Sequence, residues 1–188
     1  HVLASCLMTP IRIAAVLLLC LGATLTGQKK REVSAAEVDR IHKSAILIDT
    51  HNDVTSRTLD GGFDIGKPSA DGHTDIQRLR AGGVGATFFA VYVAGSYTSG
   101  NHAANRTLQM IDTVRHDIVD KYPNAFELVN TADGIVEAYR KGRMAALMGI
   151  EGGHAIEDSL RLLRDFYALG IRYMTLTHSD NINWADSS

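Results

Sequence analysis

His51 and Asp53 stand two residues apart at the end of the apolar run Ile46-Leu47-Ile48. An imidazole nitrogen and a carboxylate oxygen are ordinary ligands of zinc and of neighbouring divalent metals. If the run is a strand, alternation puts both side chains on one face at its end, where they could share a cation. Two other residues repeat the placement. Glu151 closes Met144–Ile150 and precedes Gly152-Gly153-His154, and His178 closes Tyr173–Thr177. Each also has an ordinary reading. A His-x-Asp pair can be the solvated end of a strand, and Glu151 could be a helix-starting acid stabilised by the macrodipole. His178 could be a histidine hydrogen-bonded at a strand end. Local sequence leaves both readings open.

The elements that must position these residues alternate regularly. Ser34-Ala35-Ala36-Glu37 has the pattern of a capping box and opens a helix to about Lys43. Ala45–Asp49 reads as a buried strand, and Val54 to Gly72 as a long irregular connection. Thr74-Asp75-Ile76-Gln77 is a second capping box, with Gly82-Gly83 stopping its helix. Gly85–Val93 is a second buried strand. A helix then runs from about Ala103 to Tyr122, with Leu108, Ile111, Val114, Ile118 and Tyr122 along one face. Thr131–Lys141 is a shorter helix and Met144–Ile150 a third strand. Ile156, Leu160, Leu163 and Tyr167 mark another helix, and Tyr173–Thr177 is a fourth strand. Four buried strands alternating with helices predict a parallel α/β fold, either doubly wound or a β/α barrel. No G-x-G-x-x-G follows the first strand, which removes the main argument for a dinucleotide-binding domain. All four candidate residues sit at C-terminal strand ends, where barrels place their chemistry.

Composition narrows the class. The 188 residues suffice for one ordinary domain, and 45% hydrophobic with 21% charged content is that of a globular protein. A net charge of −2, with no basic run beyond Lys29-Lys30-Arg31, gives no electrostatic footprint for nucleic acid. The first residues differ from the rest. The chain opens on His1, with Met8 as the expected start. Arg12 then precedes the uncharged stretch Ile13–Leu25, too short to span a bilayer but suited to a signal-peptide core. Residues 8–27 therefore read as a signal peptide cleaved near Gly27, and the protein as exported, periplasmic or secreted. Membrane attachment would arise only through the uncleaved leader. Leu19, where a small residue is needed, argues against lipidation at Cys20. Both cysteines, Cys6 and Cys20, lie in this leader, so no disulfide is expected in the mature part.

The chemistry-bearing stretches together resemble the membrane (renal) dipeptidase family of metallopeptidases, peptidase family M19. The resemblance is carried by Ile48-Asp49-Thr50-His51-Asn52-Asp53, by Arg78-Leu79-Arg80-Ala81-Gly82-Gly83-Val84-Gly85-Ala86 and by Gly149-Ile150-Glu151-Gly152-Gly153-His154. It continues through Leu169-Gly170-Ile171-Arg172-Tyr173-Met174-Thr175-Leu176-Thr177-His178 and Asn183-Trp184-Ala185-Asp186-Ser187, in the family's order, over about residues 45–188. It implies a TIM-like (β/α)8 barrel of the metal-dependent hydrolase type, with two zinc ions. His51 and Asp53 would bind one zinc, Glu151 would bridge both, and His178 would contact the scissile carbonyl of a dipeptide. The implied reaction is hydrolysis of the peptide bond by a metal-activated hydroxide. The family's remaining histidine ligands, its carboxylate-binding arginine and its proton-transfer aspartate are expected on later strands, beyond Ser188.

A closed eight-stranded barrel takes about 250 residues. Residues 28–188 are thus expected to be the N-terminal part of one, truncated after about the fourth strand, open-edged and inactive alone. Other conspicuous residues receive plainer expectations. His73, His102 and His116 are expected to be solvated, and Gly82-Gly83-Val84-Gly85 to be a tight turn rather than a phosphate loop. His154 is expected to support a ligand or start a helix, and Trp184 to line a pocket rim or simply pack. Two further functions stay open: another metal-dependent amidohydrolase of the same barrel type, and a non-catalytic binding protein derived from the fold. A homodimer is compatible with the sequence but not indicated by it.

Overall fold

A computed structural model describes residues 30–188; the expected signal peptide, residues 8–27, and both cysteines lie outside the described residues. The chain forms two units, one up to Val38 and one from Asp39 to Ser188. Among the described residues of the first, Ser34 Oγ accepts the backbone N–H of Glu37, which is half of the expected capping box. The Glu37 carboxylate completes no box and pairs with Arg31 instead.

The second unit is built on a parallel sheet. Helix α1 (Ala35–Ser44) begins before this unit, and strand β1 (Leu47–Asn52), helix α2 (Val54–Gly61) and helix α3 (Ile76–Ala81) follow it. Strand β2 (Val84–Tyr92) leads into helix α4 (Ala103–Asp112), which continues to Asp120 with wider, i→i+5 hydrogen bonding. Strand β3 (Phe126–Leu128), helix α5 (Ala132–Arg140), strand β4 (Met144–Glu151), helix α6 (Leu160–Ala168) and strand β5 (Ile171–Met174) complete it. β1 pairs with β2 and β2 with β4. β3 and β5 share the other edge of β4, β3 along its start and β5 along its end, and every pairing is parallel. Parallel strands joined by helices must bury both faces. On one face, Phe89, Val91, Ala146, Met148 and Ile150 meet Met110, Ile111, Val114 and Ile118 of the long helix. On the other, Ala86, Ala145 and Leu147 are covered by Ile135 and Ala138 of α5. By alternation Gly149 and Glu151 follow Leu147 on this second face.

Among the described residues, five strands replace the four expected. The additional one, Phe126–Leu128, is three residues long, too short to show periodicity. The strand expected at Tyr173–Thr177 is β5, and it ends at Met174, so His178 stands four residues beyond it. The strand expected to be buried, β1, is not. Leu47 and Ile48 are each 40% exposed, because among the described residues β1 pairs on one side only. The connection expected to be irregular begins with α2, whose mostly polar sequence Val-Thr-Ser-Arg-Thr-Leu-Asp-Gly lacks an apolar stripe. The second capping box is shifted: Asp75, not Thr74, caps α3, accepting the Arg78 N–H at 2.8 Å and the Arg78 side chain at 2.7 Å. On the long helix Leu108 faces outward at 46% exposure and Met110 and Thr107 are buried, a rotation of the expected face. On α6 Phe166 is the buried residue, while Leu160 and Tyr167 are exposed.

The segment between α2 and α3 is tied down by Asp64, which takes a hydrogen bond from the Tyr122 hydroxyl and pairs with Lys121 and Lys67. The Tyr122 hydrogen bond, helped by the Gly66 N–H and Lys121, holds the Asp64 carboxyl at about 2 against its ordinary 3.8, despite the upward push of burial. A carboxyl more acidic in the folded than in the unfolded chain contributes stability that is complete above about pH 4 and lost as pH falls through about 2. Asp64→Asn is therefore expected to flatten the acid limb of a stability–pH curve between those values and to leave its shape near neutrality unchanged. Urea midpoints measured across pH 2–6 check this.

Candidate metal centre

His51 and Glu151, at the C-terminal ends of β1 and β4, share one neighbourhood with Asp53 and His178, which lie beyond the ends of β1 and β5. His51 Nε2 lies 3.2 Å from Asp53 Oδ1 and 3.3 Å from Glu151 Oε2. The other carboxylate oxygen of Glu151, Oε1, lies 3.3 Å from His178 Nδ1. Glu151 is the most enclosed of the four side chains, 18% exposed, and Asp53 the most open, at 72%.

The pair that the sequence puts on one strand face meets by another route. β1 pairs Asp49 with Thr87 and Asn52 with Phe89, so one extra residue is looped into β1 between Asp49 and Asn52. Such a bulge breaks simple alternation. Its inner side is stitched by side chains: Asp49 accepts the His51 N–H at 3.2 Å and Asn52 Nδ2 at 2.8 Å. Asn52 Oδ1 in turn accepts the Val54 N–H at 3.2 Å at the start of α2. Asp53 is no longer in the strand but is the residue that opens α2. His51 and Asp53 therefore converge through a bulge and a helix start.

Glu151 stands opposite Tyr92 in the β2–β4 register, at the last rung of both strands. Beyond it the chain turns at Gly152, with φ of +107°, a conformation that favours glycine. The Gly152 N–H donates to Thr175 Oγ1 at 2.8 Å, tying the turn after β4 to the segment after β5. Gly153 has no room for a side chain, since a Cβ there would lie 2.2 Å from the Leu176 carbonyl oxygen. His178 is held from two sides. Its ring packs edge-on against Tyr92, centroids 5.1 Å apart, and its carbonyl accepts Ser187 Oγ at 2.6 Å.

Residues that the sequence did not single out complete the surroundings. Tyr173 Oη lies 2.9 Å from His51 Nδ1 and 3.2 Å from the Thr50 carbonyl oxygen. Burial foremost, then the charges of Glu151, Asp53 and Asp49, push the Tyr173 hydroxyl above its ordinary value, so it stays protonated at neutral pH. His154, expected near the site in a supporting or helix-starting role, is buried with Nε2 2.7 Å from the Val93 carbonyl oxygen. His73, His102 and His116 are exposed, as expected, and His116 pairs with Asp112 and Asp120 on its own helix. Trp184 joins Ile156, Leu160, Leu163, Met174 and Leu176 around an apolar cavity of about 430 Å³.

The donor set fits a divalent metal. One ligand atom each from His51, Asp53 and Glu151 lie within 4.8 Å of one another, the spread of a potential cation site. Ligands at about 2.1 Å around a tetrahedral ion stand about 3.4 Å apart, close to the 3.2 and 3.3 Å seen from His51 Nε2. One N–H on Nε2 could not point well at both carboxylates, whereas a cation between the three satisfies all of them. Nitrogen and carboxylate donors suit zinc, and manganese or cobalt as well.

A family model described as membrane dipeptidase, peptidase family M19, matches residues 35–188. Dipeptidase verJ of Clonostachys rogersoniana is 36% identical over 160 residues, covering 76% of this chain and 40% of that protein. An uncharacterized dipeptidase of Schizosaccharomyces pombe, C965.12, is 32% identical over 173 residues, covering 83% of this chain and 41% of its own length. The chain thus spans about two-fifths of the curated relatives it matches. Among solved structures, a metallopeptidase of family M19, dipeptidase AC, superposes with a TM-score of 0.63 at 25% identity, over 71% of this chain and 43% of that one.

Proposed function

Since the chain belongs to the membrane dipeptidase family, peptidase family M19, we propose that its protein is a zinc-dependent dipeptidase and that this chain supplies one side of the metal centre. The sheet is part of a β/α barrel of the metal-dependent hydrolase type, as in the family's solved members. The observation that carries the proposal is the convergence of His51 Nε2 on Asp53 and Glu151 at the C-terminal ends of parallel strands, inside the matched region.

His51 and Asp53 would hold one ion, and Glu151, with one oxygen turned toward His51 and the other toward His178, would reach a second. Bound zinc would supply a Lewis acid for the peptide carbonyl and an activated water at neutral pH. His178, poised on the far oxygen of Glu151, offers an N–H to the carbonyl oxygen as negative charge builds there. Tyr92 fixes the plane of that ring, and Ser187 holds its backbone.

The test uses the complete gene product. Hydrolysis of a dipeptide panel is expected, abolished by chelation and restored by Zn2+. Turnover confined to N-acyl amino acids would instead assign an amidohydrolase of the same barrel type, and no metal uptake at all would favour a binding protein. His51→Ala is expected to lose zinc. His178→Ala should keep it while turnover falls about a hundredfold or more, the usual cost of removing one donor to a developing oxyanion. Equal zinc loss in the two variants would reject this division of roles.

A further inference from the structure

Strands β1 and β5 are not hydrogen-bonded to each other; β2 and β4 lie between them. In a flat sheet that separation would be about 14 Å, three strand spacings. The Tyr173 hydroxyl nevertheless reaches His51 Nδ1 at 2.9 Å, and the Thr50 carbonyl oxygen at 3.2 Å. It does so because the sheet curls and because its path has been cleared. Tyr173 pairs with Gly149 in the β4–β5 register, and a Cβ on Gly149 would lie 2.1 Å from the phenol ring. The ring lies over that bare backbone and packs on Phe88, centroids 5.4 Å apart.

A phenol hydroxyl has one proton to give, and the Thr50 carbonyl can only accept. With its own proton on Thr50, Tyr173 Oη presents a lone pair to His51 Nδ1, which must then carry the hydrogen. The result is a relay from His51 Nδ1–H to Tyr173 Oη–H to the Thr50 carbonyl oxygen. It leaves the lone pair of His51 on Nε2, the nitrogen that faces Asp53 and Glu151. We infer that Tyr173 is a positioning residue for the metal centre: it fixes the tautomer and ring orientation of His51 from across the sheet, and Gly149 exists to let it through. Partners of this kind orient metal-binding histidines generally, and losing one costs about 10–100-fold in metal affinity.

The inference rests on His51 being a metal ligand, and the experiment separates the two. The complete gene product, labelled with 15N-histidine and loaded with Zn2+, is expected to show a His51 Nδ1–H that exchanges slowly with D2O. In Tyr173→Phe, which keeps the ring on Phe88 and Gly149, that proton should exchange fast. Zn2+ affinity, read by competition with a chelating dye, should fall about 10–100-fold, while unfolding of the metal-free protein stays near wild type. Unchanged Zn2+ affinity in Tyr173→Phe, or unchanged protection of the Nδ1–H, overturns the role of Tyr173 while the metal site stands. Unchanged affinity in His51→Ala removes the ligand itself and the inference with it. If Tyr173→Phe does not accumulate, the wild type alone decides, because a fast-exchanging Nδ1–H there is incompatible with the relay.

Discussion

Glu151→Gln in the complete gene product is expected to deplete the bound metal and to bring dipeptide hydrolysis below about 1% of wild type. The substitution keeps the shape of the side chain but removes its charge and turns one acceptor oxygen into a donor. One oxygen faces His51 Nε2 at 3.3 Å and the other faces His178 Nδ1 at 3.3 Å, so whichever becomes the amide nitrogen no longer offers a metal a lone pair on that side. Groups one bond further from a metal already cost about 10–100-fold when lost, and a direct ligand costs at least as much. Metal content by mass spectrometry and dipeptide turnover read the result. The fold should not suffer. Asp53 and Glu151 bring two negative charges within 4.8 Å of each other, so without metal the neutral variant should unfold no earlier than wild type. Stoichiometric metal retained by Glu151→Gln would remove Glu151 from the ligand set.

Phe89→Ala is expected to give the largest loss of stability with no change in the donor set. Phe89 is completely buried on β2, on the face opposite the site, and meets Phe126 edge-on with centroids 5.7 Å apart. Truncating a buried phenylalanine to alanine costs about 3–5 kcal/mol, from lost transfer energy and the cavity left behind. That is a large fraction of the 5–15 kcal/mol typical of a folded domain. A lowered urea midpoint, with Zn2+ affinity preserved below the transition, is the expected signature. An unchanged midpoint would mean that the core on this face is not as closely packed as its burial indicates.

The chemistry of this chain was more legible than its geometry. His51, Asp53, Glu151 and His178 could be picked out because polar, ligand-type residues at the ends of apolar runs are conspicuous, and the structure gathers all four. The helix after Asp53 was missed because its polar sequence carries no stripe, although it is what aims Asp53. β3 was missed because three residues cannot establish a period. Tyr173 could not be found at all. Its partner, His51, is 122 residues away, and only the curl of the sheet makes them neighbours. The exposure of Leu47 and Ile48 was also invisible, since an apolar run looks the same at an edge as in the middle of a sheet.

The bulge between Asp49 and Asn52 has a practical meaning for anyone who would remodel this pocket. Asp49 and Asn52 are three apart, which in a regular strand puts them on opposite sides, yet their side chains touch at 2.8 Å. Odd and even positions exchange meaning within that short stretch. A mutant library that varied every second residue from Leu47 onward, intending to sample the pocket, would strike one wall below the bulge and the other above it. Loss of the Thr50 codon alone would spare every ligand in the text of the gene and still turn His51 away from Glu151.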